Sequence, residues 1–184
     1  MNILVTGAKG FVGKNLCAAL KNIRDNKDRT RNIKIEEIFE YDIDTERNLL
    51  DGFCERADFV FNLAGVNRPK DNAEFMEGNF GFASDLLNIL KKHNNKCPVM
   101  LSSSVQAIGR YDNDYGRSKK AGEELFFKYA EETGVKVLVY RFPNLFGKWC
   151  RPNYNSAAAT FCHNTANDLP ITVNDRNTEL ELVY

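Results

Sequence analysis

The sequence predicts an α/β fold with a doubly wound parallel sheet. Short apolar runs alternate with longer amphipathic runs, which is the pattern of strands connected by helices. The first apolar run, residues 2–6, leads into a turn with glycines at positions 7, 10 and 13, and an amphipathic run follows. Right-handed crossovers between parallel strands place ligand sites at the carboxyl ends of the strands. We therefore expect one edge of the sheet to carry the chemistry.

The glycine turn predicts a binding site for the diphosphate of a dinucleotide. Gly7 allows the tight turn, Gly10 lets a diphosphate approach the backbone, and Gly13 lets the helix pack closely on the strand. Phe11 and Val12 begin a helix whose free N–H groups and positive dipole end face the phosphates. An ordinary glycine-rich turn without a ligand is the alternative, and the strand–turn–helix context favours the dinucleotide.

The other elements follow in the same alternation. Predicted helices span residues 11–24, 45–56, 75–90 and 115–132, and predicted strands span residues 35–41, 59–63, 99–101 and 135–141. Thr45 is the expected N-cap of the second helix. The strand ends that should carry the chemistry hold Gly7, Asp42, Ala64, Ser104 and Asn144.

The pattern changes after the last of these strands. A helix is predicted within residues 152–167, and residues 171–173 and 179–184 resemble strands.

Composition excludes several function classes. The chain has 184 residues, with 25 Lys plus Arg and 25 Asp plus Glu, so no basic excess argues for nucleic acid or a membrane surface. No apolar run approaches the ~20 residues that span a bilayer. Five scattered cysteines and two histidines argue against a metal site or a disulfide framework. The N-terminus passes straight into the first predicted strand, so we expect no signal peptide and a cytoplasmic protein.

A tyrosine and a lysine stand out near the middle of the chain. Tyr115 and Lys119 are four residues apart on a predicted helix and therefore share a face. A phenol is a poor acid at neutral pH, and we expect a nearby ammonium to lower its pKa. A surface pair is the alternative, but Ser104 at a preceding strand end and the glycine turn together favour catalysis.

Five stretches together carry a family resemblance: TGAKGFVGKNL, LAGVNRP, LSSSVQA, Tyr115-x-x-x-Lys119 and RFPNLFGKWCRPNYNS. They resemble the extended short-chain dehydrogenase/reductase family, which has a Rossmann-type fold and includes NAD-dependent epimerases and dehydratases. The likeness runs through the whole chain and is strongest to bacterial capsular-polysaccharide reductases that act on nucleotide-linked keto-sugars. The segment between Ser104 and Tyr115 is shorter than is usual in the extended branch, and Ile108-Gly109 replaces the usual Tyr-Gly.

The resemblance implies a role for each catalytic candidate. Tyr115 donates a proton to a carbonyl oxygen as hydride arrives at the carbon, and Ser104 hydrogen-bonds the same oxygen. Lys119 also holds the nicotinamide ribose. Ser103 is the fallback for Ser104.

The resemblance also implies contacts with the cofactor. Leu63, Ala64 and Gly65 pass under its adenine-ribose side. Pro143 and Asn144 border the nicotinamide, and Asn144 reaches the substrate.

Three further positions follow by the same resemblance. Ser102 is a cofactor contact. Arg68 is a candidate for a substrate phosphate, with a solvated arginine as the alternative. Asn79 matches a family asparagine that braces the active-site strands.

Two residues point to different cofactors. Asp42 stands where an acid binds a ribose 2′-hydroxyl and repels a 2′-phosphate, which favours NAD(H). Lys9 stands where related reductases place a base for the 2′-phosphate, which favours NADP(H). The likeness to capsular reductases tips the expectation slightly to NADP(H).

The resemblance implies an enzyme that reduces a keto group, at C4, of a nucleotide-linked deoxy-sugar for capsule or surface polysaccharide. The alternatives are an epimerase with tightly bound NAD and a non-catalytic dinucleotide-binding module, although such modules typically lose the tyrosine or the lysine. A 4,6-dehydratase is disfavoured, because Val105 and Gln106 stand where those enzymes carry an Asp-Glu pair.

The resemblance further divides the chain into residues 1–150, a Rossmann domain, and residues 151–184, the start of an incomplete substrate lobe. Related proteins continue well beyond residue 184, so we expect a truncated form with little turnover. The keto-sugar is the expected partner, and the resemblance is compatible with a homodimer.

Overall fold

The computed structural model describes residues 1–67, 71, 73–109 and 113–184, with only the backbone described at residues 73 and 74. It forms two compact units, Met1–Arg141 and Phe142–Tyr184. The division into a cofactor domain and a substrate lobe stays a prediction.

The first unit alternates strands and helices as the sequence predicts. Its strands are β1 (Asn2–Thr6), β2 (Glu37–Tyr41), β3 (Phe59–Asn62), β4 (Val99–Ser104) and β5, which runs over Val137–Phe142 and so ends at the unit boundary. Its helices are α1 (Phe11–Arg24), α2 (Arg47–Arg56), α3 (Ala73–Met76), α4 (Phe82–Lys92) and α5 (Asp114–Thr133), with a π-helix at Glu77–Gly81 and a 3₁₀-helix at Val105–Ile108.

The five strands form one sheet in the order β2-β1-β3-β4-β5. Strand β1 pairs in parallel with β2 and with β3, and β3 pairs in parallel with β4. Thr6 pairs with Tyr41 on one side and with Asn62 on the other, so the carboxyl ends of three strands are level. The order reverses at β1, and ligands of doubly wound sheets bind at such a switch point.

The core has two clusters, one on each face of the sheet. Leu4 belongs to one cluster and its neighbours Ile3 and Val5 to the other, because successive strand residues face opposite sides. Helix α1 contributes Cys17 and Leu20 to the second cluster, whereas α2, α4 and α5 contribute Leu50, Leu86 and Phe126 to the first. Helices on both faces confirm the predicted doubly wound α/β fold.

Two local predictions are wrong. Glu46, not Thr45, is the N-cap of α2, because the Thr45 hydroxyl accepts the Asp42 N–H at 2.9 Å and is used in the preceding turn. The single helix predicted over residues 75–90 is interrupted by the π-helix. The interruption coincides with Asn79, whose buried side chain bonds to the loop after β3.

The ends of α5 have clear causes. The Asn113 side chain accepts the Gly116 N–H at 2.7 Å and caps the start of the helix. Gly134 ends it in the left-handed conformation, with φ of 71°. The predicted stop at Gly134 is therefore confirmed.

The second unit is small. Strands β6 (Asn144–Leu145) and β7 (Leu182–Val183) pair in parallel, and helix α6 spans Ala157–Ala166, within the predicted range. Residues 171–173 are described and form no strand, which corrects the prediction for that run. A short apolar run needs a paired neighbour to become a strand, and β7 takes the pairing with β6 instead.

Two further findings concern the cysteines and the helices. All five cysteines are free thiols, and three of them are buried. Within the residues described, no helix has the length and apolar character to cross a membrane.

Candidate active site

Gly7 brings the glycine turn against the end of β3. Its φ is +68°, and a Cβ there would lie 2.7 Å from the Ala64 nitrogen and 2.8 Å from the Leu63 carbonyl carbon. Both atoms are backbone and cannot move aside, so only glycine fits. The turn therefore lies at the switch point between β1 and β3, beside two residues predicted to contact the cofactor.

Gly10 and Gly13 complete the turn. Gly10 is the N-cap of α1 and has no side chain to cap the first turn, so the amides that begin at Phe11 are offered to a ligand. A Cβ on Gly13 would lie 2.1 Å from the Gly7 oxygen, so α1 packs directly on the turn. A Cβ at Gly7 or Gly13 would clash with backbone atoms, so the close packing of this turn requires glycine at both positions.

Asp42 lies directly after β2, next to this turn. Its Oδ2 accepts the Lys9 N–H at 2.7 Å, and the Ala8 N–H donates to the carbonyl of Tyr41 at 3.2 Å. The wide spacing between Gly7 and Asp42 in the sequence has a simple cause. A long connection between α1 and β2 lies between them, and it does not displace the acid from the strand end.

The Lys9 ammonium pairs with Asp44, which the sequence analysis did not single out. The hydrogen bond from Lys9 lowers the pKa of Asp44, and the same bond raises the pKa of Lys9. Lys9 therefore faces two carboxylates at the end of β2.

Ser104 and Tyr115 meet at the end of β4. The Ser104 hydroxyl hydrogen-bonds to the Tyr115 phenol and also accepts the Gln106 N–H at 3.2 Å. Burial raises the pKa of Tyr115, and the bond from Ser104 opposes that effect only in part. The expected lowering of the phenol pKa is therefore wrong for this structure, because desolvation outweighs the stabilisation of the anion.

Lys119 is almost fully buried beneath this pair. It is 8% exposed, its Nζ donates to the Ser102 carbonyl at 3.2 Å, and it lies 5.8 Å from the centroid of the Tyr115 ring. Burial lowers its pKa to about 8. At neutral pH Lys119 is charged in most molecules, and its buried ammonium stays close to the Tyr115 phenol.

Asn79 braces the site from the π-helix. Its Oδ1 accepts the Val66 N–H at 3.0 Å, and its Nδ2 donates to the Val66 carbonyl and to the Ser118 hydroxyl, both at 3.1 Å. A Cβ on Gly65 would lie 2.6 Å from Asn79 Oδ1 and 3.0 Å from Lys119 Nζ. Gly65 therefore lies beside the buried lysine, and the loop after β3 is tied to α5.

The NAD dependent epimerase/dehydratase family matches residues 3–184. The chain belongs to this family. Over its full length the chain is 42% identical to the UDP-2-acetamido-2,6-beta-L-arabino-hexul-4-ose reductase of Pseudomonas aeruginosa. The match covers 46% of that protein. The resemblance found in the sequence is thereby confirmed.

Solved structures agree with this membership. The capsular polysaccharide assembling protein CapF of Staphylococcus aureus is 49% identical, with a TM-score of 0.83 over all of this chain and 47% of CapF. The UDP-glucuronic acid 4-epimerase of Bacillus cereus, solved with UDP-glucuronic acid and NAD, is 22% identical and shares the fold. Its TM-score is 0.76, and the match covers all of this chain and 69% of the epimerase. The chain spans about half the length of the first two relatives.

The sequence also predicted site roles for Ser103, Pro143, Asn144 and Arg68. Ser103, the fallback for Ser104, donates to Glu123 on α5 and does not turn toward the phenol. Pro143 and Asn144 belong to the second unit, and their contact with a nicotinamide stays a prediction. Arg68 lies outside the described residues.

A buried network beside the site was missed. Glu123 is almost fully buried, accepts the Ser103 hydroxyl at 2.5 Å and accepts Arg141 at 2.6 Å and 2.9 Å. Burial raises the pKa of this carboxyl, but the bonds from Arg141 and Ser103 outweigh burial and lower it overall. Its spacing of four residues from Lys119, on the same helix face, was the available signal.

Proposed function

We propose that the protein carrying this chain is an oxidoreductase that reduces a keto group, at C4, of a nucleotide-linked deoxy-sugar, with NADH or NADPH as the reductant. The observation that carries the proposal is the buried group formed by Ser104, Tyr115 and Lys119 at the end of β4. The 42% identity to a UDP-keto-sugar reductase and the 49% identity to a capsular polysaccharide protein support the substrate class and a role in surface polysaccharide.

The glycine turn fits a dinucleotide diphosphate. Gly7, Gly10 and the amides that begin at Phe11 would hold the diphosphate, with Ala64 and Gly65 beside it. A bound nicotinamide cofactor supplies the hydride.

The protein supplies the proton. A carbonyl carbon that accepts a hydride leaves negative charge on its oxygen, and in this proposal Tyr115 donates its proton there. Its raised pKa keeps the phenol protonated until the alkoxide forms. The buried Lys119 stabilises the phenolate that remains, and Ser104 orients the oxygen by its hydroxyl.

The cofactor choice rests on the end of β2. Lys9 and the likeness to capsular reductases support NADPH, whereas Asp42 supports NADH. The five free cysteines support a reducing compartment, and we place the enzyme in the cytoplasm. A homodimer stays a prediction.

An epimerase is the second candidate, because an epimerase with this fold binds NAD and a nucleotide sugar. The stoichiometry separates the two, measured with a UDP-linked 4-keto-deoxy-sugar on the longest natural protein that contains this chain. A reductase oxidises one NADH or NADPH per sugar reduced, which the loss of absorbance at 340 nm reports. An epimerase interconverts isomers without net oxidation, and that result would contradict the proposal.

Tyr115→Phe tests the proton donor in the same assay. The variant keeps the ring and removes only the proton, so turnover should fall roughly 10²–10⁴-fold with cofactor affinity little changed. Tyr140→Phe, at an exposed tyrosine on β5, is the matched control and should retain turnover. Near-normal turnover of Tyr115→Phe, with chemistry rate-limiting, would assign the proton to another residue.

A further inference from the structure

Lys9 is held at two points in the candidate cofactor site. Its N–H donates to Asp42 Oδ2 at 2.7 Å, which fixes the backbone beside β2. Its ammonium pairs with the Asp44 carboxylate instead of extending free into solvent. Both side chains of the pair remain more than half exposed, at 62% and 58%, so a ligand can reach them.

Asp44 is positioned by a closed turn. The Asp42 N–H donates to the Thr45 hydroxyl at 2.9 Å, and the Thr45 N–H donates back to the Asp42 carbonyl at 2.9 Å. Asp42 Oδ1 accepts the Ile43 N–H at 2.8 Å. The backbone around residue 44 is thus set by three hydrogen bonds, and the carboxylate that faces Lys9 is part of the site's architecture.

The charges at the end of β2 disfavour binding of a 2′-phosphate on the dinucleotide. One ammonium and two carboxylates leave a net negative charge at the end of β2. A phosphate monoester carries about −1.5 to −2 at neutral pH. A 2′-phosphate must therefore take Lys9 from Asp44 and then lie beside both acids, whereas a 2′-hydroxyl needs neither change.

We propose that Asp44 is a specificity-determining residue, which disfavours a 2′-phosphorylated dinucleotide by holding the Lys9 ammonium that would bind that phosphate. This inference rests on the proposed dinucleotide site. The mutual hydrogen bond raises the pKa of Lys9 and lowers the pKa of Asp44, so both partners carry their charges at neutral pH and a 2′-phosphate competes with Asp44 for the ammonium.

The test compares dissociation constants of NADPH and NADH, measured by fluorescence of the reduced nicotinamide. Asp44→Asn should tighten NADPH binding by about two- to fivefold at low salt and leave NADH nearly unchanged. In about 1 M salt the gain should shrink, because the Debye length falls to ~3 Å. Adenosine 2′,5′-bisphosphate should show the same gain, since it carries the 2′-phosphate without the nicotinamide.

Asp25→Asn is the matched control. Asp25 is also an exposed aspartate in an ion pair, with Arg24, but it lies just after the far end of α1. At 1.5 Å per residue the 14-residue helix separates it from the glycine turn by about 21 Å. The control should leave the NADPH to NADH ratio unchanged.

A double-mutant cycle distinguishes competition for Lys9 from plain repulsion by Asp44. In a Lys9→Ala background, Asp44→Asn should tighten NADPH binding by less than it does in the wild-type background, because only the repulsion between Asp44 and the phosphate is then removed. A gain of equal size in both backgrounds, or no gain in the wild-type background, would overturn the inference while leaving the dinucleotide site intact. A folded wild-type chain that binds neither cofactor would instead refute the proposed function.

Discussion

The buried ammonium of Lys119 lowers the stability of the fold. This lysine is 8% exposed, and its ammonium donates a hydrogen bond to the Ser102 carbonyl. Burial lowers its pKa from 10.5 to about 8. Such a charge weakens the fold at neutral pH, and its retention points to use in binding or chemistry.

The pH dependence of stability tests this burial. Between pH about 8 and 10.5 the unfolded chain binds more protons at Lys119 than the folded chain does, so the free energy of unfolding rises with pH. Lys119→Met removes that term. Relative to this variant, the wild type should gain up to about 3 kcal/mol across the window in urea unfolding. The cysteines and tyrosines titrate in both proteins and cancel.

Lys120→Met is the control on the neighbouring, exposed position. Its unfolding free energy should run parallel to that of the wild type across the same pH range. If Lys119→Met also runs parallel, the lysine is solvated and its burial beside Ser104 and Tyr115 is not as described.

Some of the site was predictable at the scale of single residues. The glycine spacing and the Tyr-x-x-x-Lys pair are local patterns whose chemistry can be stated without a structure. The Lys9–Asp44 pair joins residues 35 positions apart, and the direction of the Tyr115 pKa depends on burial. Neither could be obtained from local spacing.

At the scale of elements, Glu123 connects a helix to two strands. Its carboxylate accepts hydrogen bonds from Ser103 on β4 and from Arg141 on β5. Glu123 lies on the same face of α5 as Lys119. Ser103 is next to Ser104, so the network helps to set the distance between the strand end and the helix that carries Tyr115.

Glu123→Ala should therefore destabilise the fold. The variant leaves the buried Ser103 hydroxyl and the Arg141 guanidinium without their partner, although Arg141 can turn to solvent because its side chain is 45% exposed. We expect a loss of about 2 kcal/mol in the free energy of unfolding. Glu124→Ala, at the exposed neighbour, should change it by less than about 0.5 kcal/mol. Equal losses in both variants would contradict the role of the network.

The region before α4 shows where element prediction fails. The apolar period over residues 75–90 predicts one continuous helix, yet the structure inserts a π-helix at Glu77–Gly81. A Cβ on Gly78 would lie 2.3 Å from Val66 Cγ2, so this segment packs against a loop from another part of the chain. Periodicity reports one face of a helix and carries no information about such a contact.

At the scale of the whole molecule, the sheet brings the carboxyl ends of β1, β2 and β3 level at one edge, where Gly7, Asp42 and Leu63 follow their strands. The alternation of strands and helices was sufficient to predict this parallel arrangement. The second unit was less predictable, because its short strands depend on pairing rather than on pattern. The Gly7–Gly13 turn at the switch point is the feature on which both the fold and the proposed chemistry depend.

The most direct test of the account is binding of NADH and NADPH to this chain and to its Gly10→Val variant. A Cβ on Gly10 lies 3.1 Å from the Gly7 oxygen, so the turn must yield only a few tenths of an ångström, while the side chain fills the space proposed for the diphosphate. Gly52→Val, at a helical glycine with nothing within 4 Å, is the matched control. The account predicts binding by the wild type and by Gly52→Val, and a loss of at least about tenfold in Gly10→Val, with all three folded by circular dichroism. Equal affinity in a folded Gly10→Val variant, or no binding by the wild type up to about 1 mM cofactor, would contradict it.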